Sequence, residues 1–117
     1  MAITDLPIRR RGECTSLPIP VDEERARQVA DLCRALADPT RLSIVACLWR
    51  ATEPVCICDL TATFDLSQPT ISHHVARLKQ AGLVESHKSG VWVYYELRRN
   101  LGAETTRALE ALLGPQF

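Results

Sequence analysis

The sequence predicts a mainly helical α+β fold, a winged helix-turn-helix assembled as a homodimer. Three observations carry that expectation. Ser67 to Ala81 reads as a capped helix whose outer face holds only hydrogen-bonding side chains. A shorter apolar helix, marked by Ile57, Leu60 and Phe64, precedes it across the turn Asp65-Leu66-Ser67. After it, Val91, Val93, Tyr95 and Leu97 alternate with Trp92, Tyr94 and Glu96, the period of two expected of a strand.

The elements follow in chain order. Residues 1–20 read as a flexible arm, because Pro7, Pro18 and Pro20 break regular structure. Arg9-Arg10-Arg11 on that arm is either solvated or in touch with DNA. Residues 21–117 form one DNA-binding and dimerisation domain. Asp22 is an N-cap, and Glu23 and Glu24 suit the positive end of the helix dipole. Ala26, Val29, Ala30, Cys33, Leu36 and Ala37 then recur at helical spacing. Asp38-Pro39 starts a second helix, with Leu42, Val45, Ala46 and Trp49 as its apolar stripe. Pro54 separates that helix from the Ile57 to Phe64 segment. The strand from Leu83 to His87, the turn Lys88-Ser89-Gly90 and the strand from Val91 to Leu97 make a two-stranded hairpin with a basic tip. Leu101, Thr105, Ala108, Leu109 and Leu112 mark a last helix. The stripe Leu101, Thr105, Leu109 and Leu112, with part of the first helix, exceeds the needs of one small core and is expected to form the subunit interface.

With 117 residues, the chain holds one small domain. Fourteen basic and fourteen acidic residues cancel, which excludes a highly cationic, non-specific nucleic-acid binder. The charge is segregated, however. From Ser67 to Arg99 the bases are Arg77, Lys79, Lys88, Arg98 and Arg99, against only Glu85 and Glu96. No stretch has the length of a membrane span, so no membrane partner is expected. No secretory signal is visible either, and a cytoplasmic location with reduced thiols is expected. Five cysteines, an odd count, fit free thiols or metal ligands better than a disulfide framework.

The polar helix carries the first functional expectation. Ile71, Val75 and Leu78 would face a core, leaving Gln68, Thr70, Ser72, His73 and Arg77 to reach base edges and phosphates of double-stranded operator DNA. Lys88 on the hairpin would add a phosphate contact. Trp92 and Tyr94 could touch DNA or pack beneath the hairpin. A two-fold dimer would set two such helices in successive major-groove segments of a near-palindromic site. His73 and His74 diverge by about 100° on a helix and do not chelate together. His87 reads as a surface or phosphate-contacting residue.

The thiols carry the second. Cys56 and Cys58 lie at the start of the third helix, where the dipole favours thiolate, the natural ligand of soft ions. On a regular helix, residues two apart point in nearly opposite directions. Both can bind one ion only if that first turn is extended or distorted. Cys33 and Cys47 read as small buried hydrophobes within apolar stripes. An enzyme is not expected: no Gly-rich phosphate loop, paired-carboxylate constellation or βαβ pattern is present, and no organic cofactor is implied.

Three stretches give the chain a resemblance. Leu36-Ala37-Asp38-Pro39-Thr40-Arg41-Leu42, Cys56-Ile57-Cys58-Asp59-Leu60, and Ser67 to His74 with Ala81 to Val84 resemble the ArsR/SmtB family of metal-responsive repressors over roughly Arg25 to Leu97. The Cys-x-Cys-Asp-Leu pattern is similar to that family's arsenic- and antimony-sensing box. The resemblance implies an operator-bound dimer released by As(III) or Sb(III). It also implies three sulfurs, with a third cysteine three positions after Cys58, where this chain has Thr61. The missing thiol must then come from Cys14, Cys33 or Cys47. Cys14 is favoured because an arm can reach a partner subunit, making the metal site Cys14, Cys56 and Cys58. The last helix carries Glu104 and Glu110 but no histidine, which does not match the family's zinc site there. Two alternatives remain: a redox-sensing repressor that pairs Cys14 with a helix-three thiol, and a small thiol oxidoreductase.

Overall fold

The computed structural model describes residues 5–116. Residues 1–4 of the expected arm, and the final Phe117, lie outside the described residues. Residues 5–22 are exposed and irregular apart from a turn at 11–12. Eight elements then follow: α1 Glu23–Leu36, α2 Pro39–Arg50, β1 Val55–Cys56, α3 Ile57–Phe64, α4 Gln68–Gln80, β2 Val84–Ser89, β3 Trp92–Leu97 and α5 Ala103–Leu113. This is the winged helix-turn-helix, with α3 and α4 as the two helices and β2–β3 as the wing.

Caps explain the boundaries. Asp22 accepts the Arg25 backbone N–H at 2.7 Å and starts α1. Asp38 accepts the Arg41 N–H at 2.9 Å and starts α2, with Pro39 in the first turn. That backbone hydrogen bond holds the Asp38 carboxyl below its ordinary pKa. Arg41 also reaches back, donating from Nε to Ala35 O at 2.7 Å and from Nη2 to Arg34 O at 3.1 Å. One side chain thus satisfies carbonyls that the end of α1 leaves unpaired. The end of α5 is served in the same way from α2. Trp49 Nε1 donates to Gly114 O at 2.9 Å, and Arg50 Nη2 to Leu113 O at 3.2 Å.

The core lies where α2, α3 and α4 meet the sheet. Ile44, Leu60, Ile71 and Leu78 are fully buried in it. Each such side chain contributes roughly 1.5–3 kcal/mol by leaving water. On α4 the buried residues are Ile71, Val75 and Leu78, one stripe at helical spacing, as the sequence predicts.

Four expectations need correction. The sheet has three strands in the order β1-β3-β2, because Val55 and Cys56 pair antiparallel with Tyr95 and Tyr94. The hairpin turn is Gly90-Val91, one residue later than expected, since Ser89 pairs with Trp92. Gly90, at φ 61°, supplies the left-handed residue that a two-residue hairpin turn requires. Cys33 is exposed, because α1 turns Leu32, Ala35 and Leu36 to the core instead. Leu109 is 1% exposed and belongs to the chain's own core, so it cannot serve a subunit interface. The exposed apolar surface on the two outer helices comes from Val29 and Leu112.

Leu109→Ala should therefore destabilise the chain itself, by about 2–5 kcal/mol. Urea unfolding should show a lower midpoint at unchanged slope. Leu17→Ala, on the exposed arm, should stay within about 0.5 kcal/mol of the parent.

Candidate nucleic-acid interface and thiol site

Helix α4 presents the polar face. Ser67 Oγ accepts the Thr70 N–H at 3.3 Å and caps it, and Pro69 follows in the first turn. Gln68, Thr70, His73 and Arg77 are exposed. Ser72 is half-buried near Tyr95, whose hydroxyl is pushed up in pKa by burial. His74 is also half-buried. Its Nδ1 lies 3.9 Å from Asp38 Oδ2 and has no hydrogen-bond partner among the described residues. His74 therefore faces the start of α2, while His73 faces out.

The wing is braced against this helix. Lys79 Nζ donates to Ser86 Oγ at 2.9 Å, linking the last turn of α4 to β2. Lys88 is exposed near the hairpin tip, beside the exposed Val91 and Trp92. Gln68, Thr70, His73, Arg77 and Lys88 are thus all free to meet a partner, on two elements held in fixed relation. His87 is otherwise engaged. Its Nε2 lies 2.9 Å from Glu96 Oε1 and 3.6 Å from Glu85 Oε1. The hydrogen bond from His87 keeps the Glu96 carboxyl below its ordinary pKa.

The thiol pair sits at the head of α3, where β1 joins the wing strand β3. Cys56 ends β1 and is also the N-cap of α3, with extended backbone at φ −69°, ψ 145°. Cys58 is the second residue of α3. The extended residue removes the divergence of a regular helix, and the two Sγ atoms stand 3.0 Å apart. Asp59 Oδ2 accepts the Cys56 N–H at 3.3 Å and holds this first turn in place. Cys56 is buried and Cys58 exposed, so the pair opens to solvent on one side. The helix dipole does not govern Cys58. Its S–H donates to Cys56, and that hydrogen bond, with burial and the neighbouring Cys56 and Asp59 charges, pushes its pKa up.

Thr61 adds no ligand, since its hydroxyl donates to Cys58 O at 2.8 Å. Cys14 is exposed on the arm, and the single chain does not gather it with the pair. Among the described residues, the one group of three such donors within 4.8 Å of each other is Glu85, His87 and Glu96. Cys47 is half-buried, and burial pushes its thiol up, consistent with a packing role. No helix among the described residues is long and apolar enough to cross a membrane.

Residues 38–86, from the start of α2 into β2, match the bacterial regulatory protein, arsR family. A biofilm growth-associated repressor of Agrobacterium fabrum is 31% identical over 110 residues, covering 94% of this chain and 92% of the relative. The chain belongs to the ArsR family. The arsenical resistance operon repressor of Escherichia coli K12 is 42% identical over 79 residues, covering 68% of this chain and 67% of its own. Among solved structures, the homodimeric winged helix-turn-helix DNA-binding domain Mb0332 of Mycobacterium bovis superposes with a TM-score of 0.64. It shares 25% identity and covers 80% of this chain and 84% of its own. Family membership makes this protein a DNA-binding transcriptional regulator and not an enzyme.

Burial orders the thiols. Under native, reducing conditions an alkylating reagent should modify the exposed Cys14, Cys33 and Cys58 before Cys47 and Cys56. Peptide mass mapping over time checks this, and Cys56 reacting as fast as Cys58 would contradict the buried cap.

Proposed function

We propose that this ArsR-family protein is a metalloid-responsive transcriptional repressor. It binds operator DNA as a homodimer and leaves it when As(III) or Sb(III) is bound by Cys14, Cys56 and Cys58. The observation that supports this most is the 3.0 Å separation of the Cys56 and Cys58 sulfurs at the head of α3. Soft ions select thiolates, and this is the one place where two thiols meet among the described residues. A pyramidal three-sulfur site then needs one more thiol. Cys14 supplies it from the arm, of the same subunit or of the partner, since Thr61 is turned away.

The DNA-facing set is Gln68, Thr70, Ser72, His73 and Arg77 on α4, with Lys88 on the wing. α3 packs directly on α4, so restraining the head of α3 shifts the helix that reads the bases. Release requires only that the ion bind the DNA-incompetent state better. A typical coupling of about 1–3 kcal/mol lowers operator affinity about 5- to 150-fold. The homodimer uses the outer faces of α1 and α5. Val29 and Leu112 are the large apolar side chains exposed on those helices, at 42% and 65%.

Fluorescence anisotropy on promoter DNA tests the reading. The reduced protein should bind promoter DNA more tightly than random duplex, and arsenite should reverse that binding. Equal affinity for both duplexes would remove the repressor assignment. Cys14→Ser, Cys56→Ser and Cys58→Ser should each keep DNA binding and blunt the arsenite response. Release of Cys14→Ser at the parent's arsenite concentration would exclude the arm thiol. Release by peroxide with no metal present would favour thiol oxidation as the signal instead.

Assembly is tested separately. Leu112→Glu should give a folded monomer by analytical ultracentrifugation, with operator affinity lost. An unaltered dimer would place the interface elsewhere.

A further inference from the structure

We propose that Glu85, His87 and Glu96, on the outer face of the wing, form a second metal site, for a divalent cation of the zinc type. The register creates it. Glu85 and His87 are two apart on β2 and share a face, and Glu96 of β3 stands directly opposite Glu85. Two carboxylates directly across an antiparallel pair repel and weaken the hairpin. Here they are not splayed apart. Both turn to the same imidazole nitrogen, with Nε2 2.9 Å from Glu96 Oε1 and 3.6 Å from Glu85 Oε1. All three donors lie within 4.8 Å of one another. Donors bound about 2.0–2.2 Å from a tetrahedral ion stand roughly 3.3–3.6 Å apart, so the trio needs little movement to close on one.

A plain surface ion pair would use one carboxylate and leave the other turned to water. The second carboxylate is what asks for a dication. Glu96 is well shielded, its side chain 20% exposed, while His87 is open at 51%. An ion can therefore enter from solvent and complete its shell with water. Two oxygens and one imidazole nitrogen suit Zn²⁺, Co²⁺ or Ni²⁺, and lack the soft sulfur that As(III) and Sb(III) select. The other nearby charge is Arg99, whose field reaches Glu96 without a hydrogen bond. Lys79 is held by Ser86 on the opposite face of β2.

The test needs neither DNA nor arsenite, so it stands or falls apart from the repressor reading. The background is the full chain carrying Cys14→Ser and Cys58→Ser, both exposed positions, which disables the thiol site without disturbing the core. Co²⁺ titration should saturate at one ion per chain, with weak d–d absorption and no sulfur-to-metal charge-transfer band. His87→Gln and Glu96→Gln should each weaken binding by at least the roughly 10- to 100-fold that loss of a supporting group costs at a metal site. Zn²⁺ should raise the melting temperature of the background chain and not of these variants, whose folding far-UV circular dichroism verifies. Co²⁺ binding undiminished in both variants, a sulfur charge-transfer band, or no saturable binding would each overturn the proposal.

Discussion

Val55 and Cys56 hold the molecule's working parts in one frame. They pair with Tyr95 and Tyr94, so the wing's inner strand fixes where α3 begins. Cys56 must be extended to remain in that ladder, and the same extended backbone makes it the N-cap of α3. The thiol pair is a by-product of this double role. A helical residue at 56 would turn its sulfur away from Cys58. The strand-to-helix switch thereby converts a backbone constraint in the sheet into a two-sulfur site.

The same frame ties the head of α3 to α4 and the wing. α3 ends at Asp65, whose left-handed φ of 52° turns the chain sharply into α4. α3 and α4 bury Leu60, Ile71 and Leu78 in one core and cannot slide past each other without opening it. At its other end, α4 is tied to the wing by Lys79 and Ser86. The thiols, the polar helix and the hairpin therefore belong to one packed unit. The arm that carries Cys14 stands outside it.

Much of this was legible in the sequence. Proline and aspartate starts at Asp22, Asp38 and Ser67 placed three helices, because capping is a local matter of one side chain and one backbone N–H. Ile71, Val75 and Leu78 showed which side of α4 is dry, leaving the rest for a partner. The missed features are all non-local. A two-residue strand has no period to detect, so β1 was invisible, and with it the reason Cys56 and Cys58 converge. Leu109 and Leu112 lie on one helix with the same chemistry, yet the first is core and the second surface, a difference set by long-range packing. Cys33 falls in a stripe of small apolar residues, yet α1 is rotated to bury Leu32 and Ala35 instead. The approach of Glu85, His87 and Glu96 depends on a hairpin register that moved by one residue from the expected turn.

The two tryptophans make the fold optically legible. Trp49 is 3% exposed, with its indole N–H bound to Gly114 O, whereas Trp92 is 52% exposed beside the wing tip. One chromophore sits in a dry, fixed environment and the other in water, at the point that would approach a nucleic acid. Their emission separates by colour. The blue component follows the docking of α5 onto α2, and the red component follows the wing. A single unlabelled sample therefore carries two independent spectral reporters, one of folding and one of engagement.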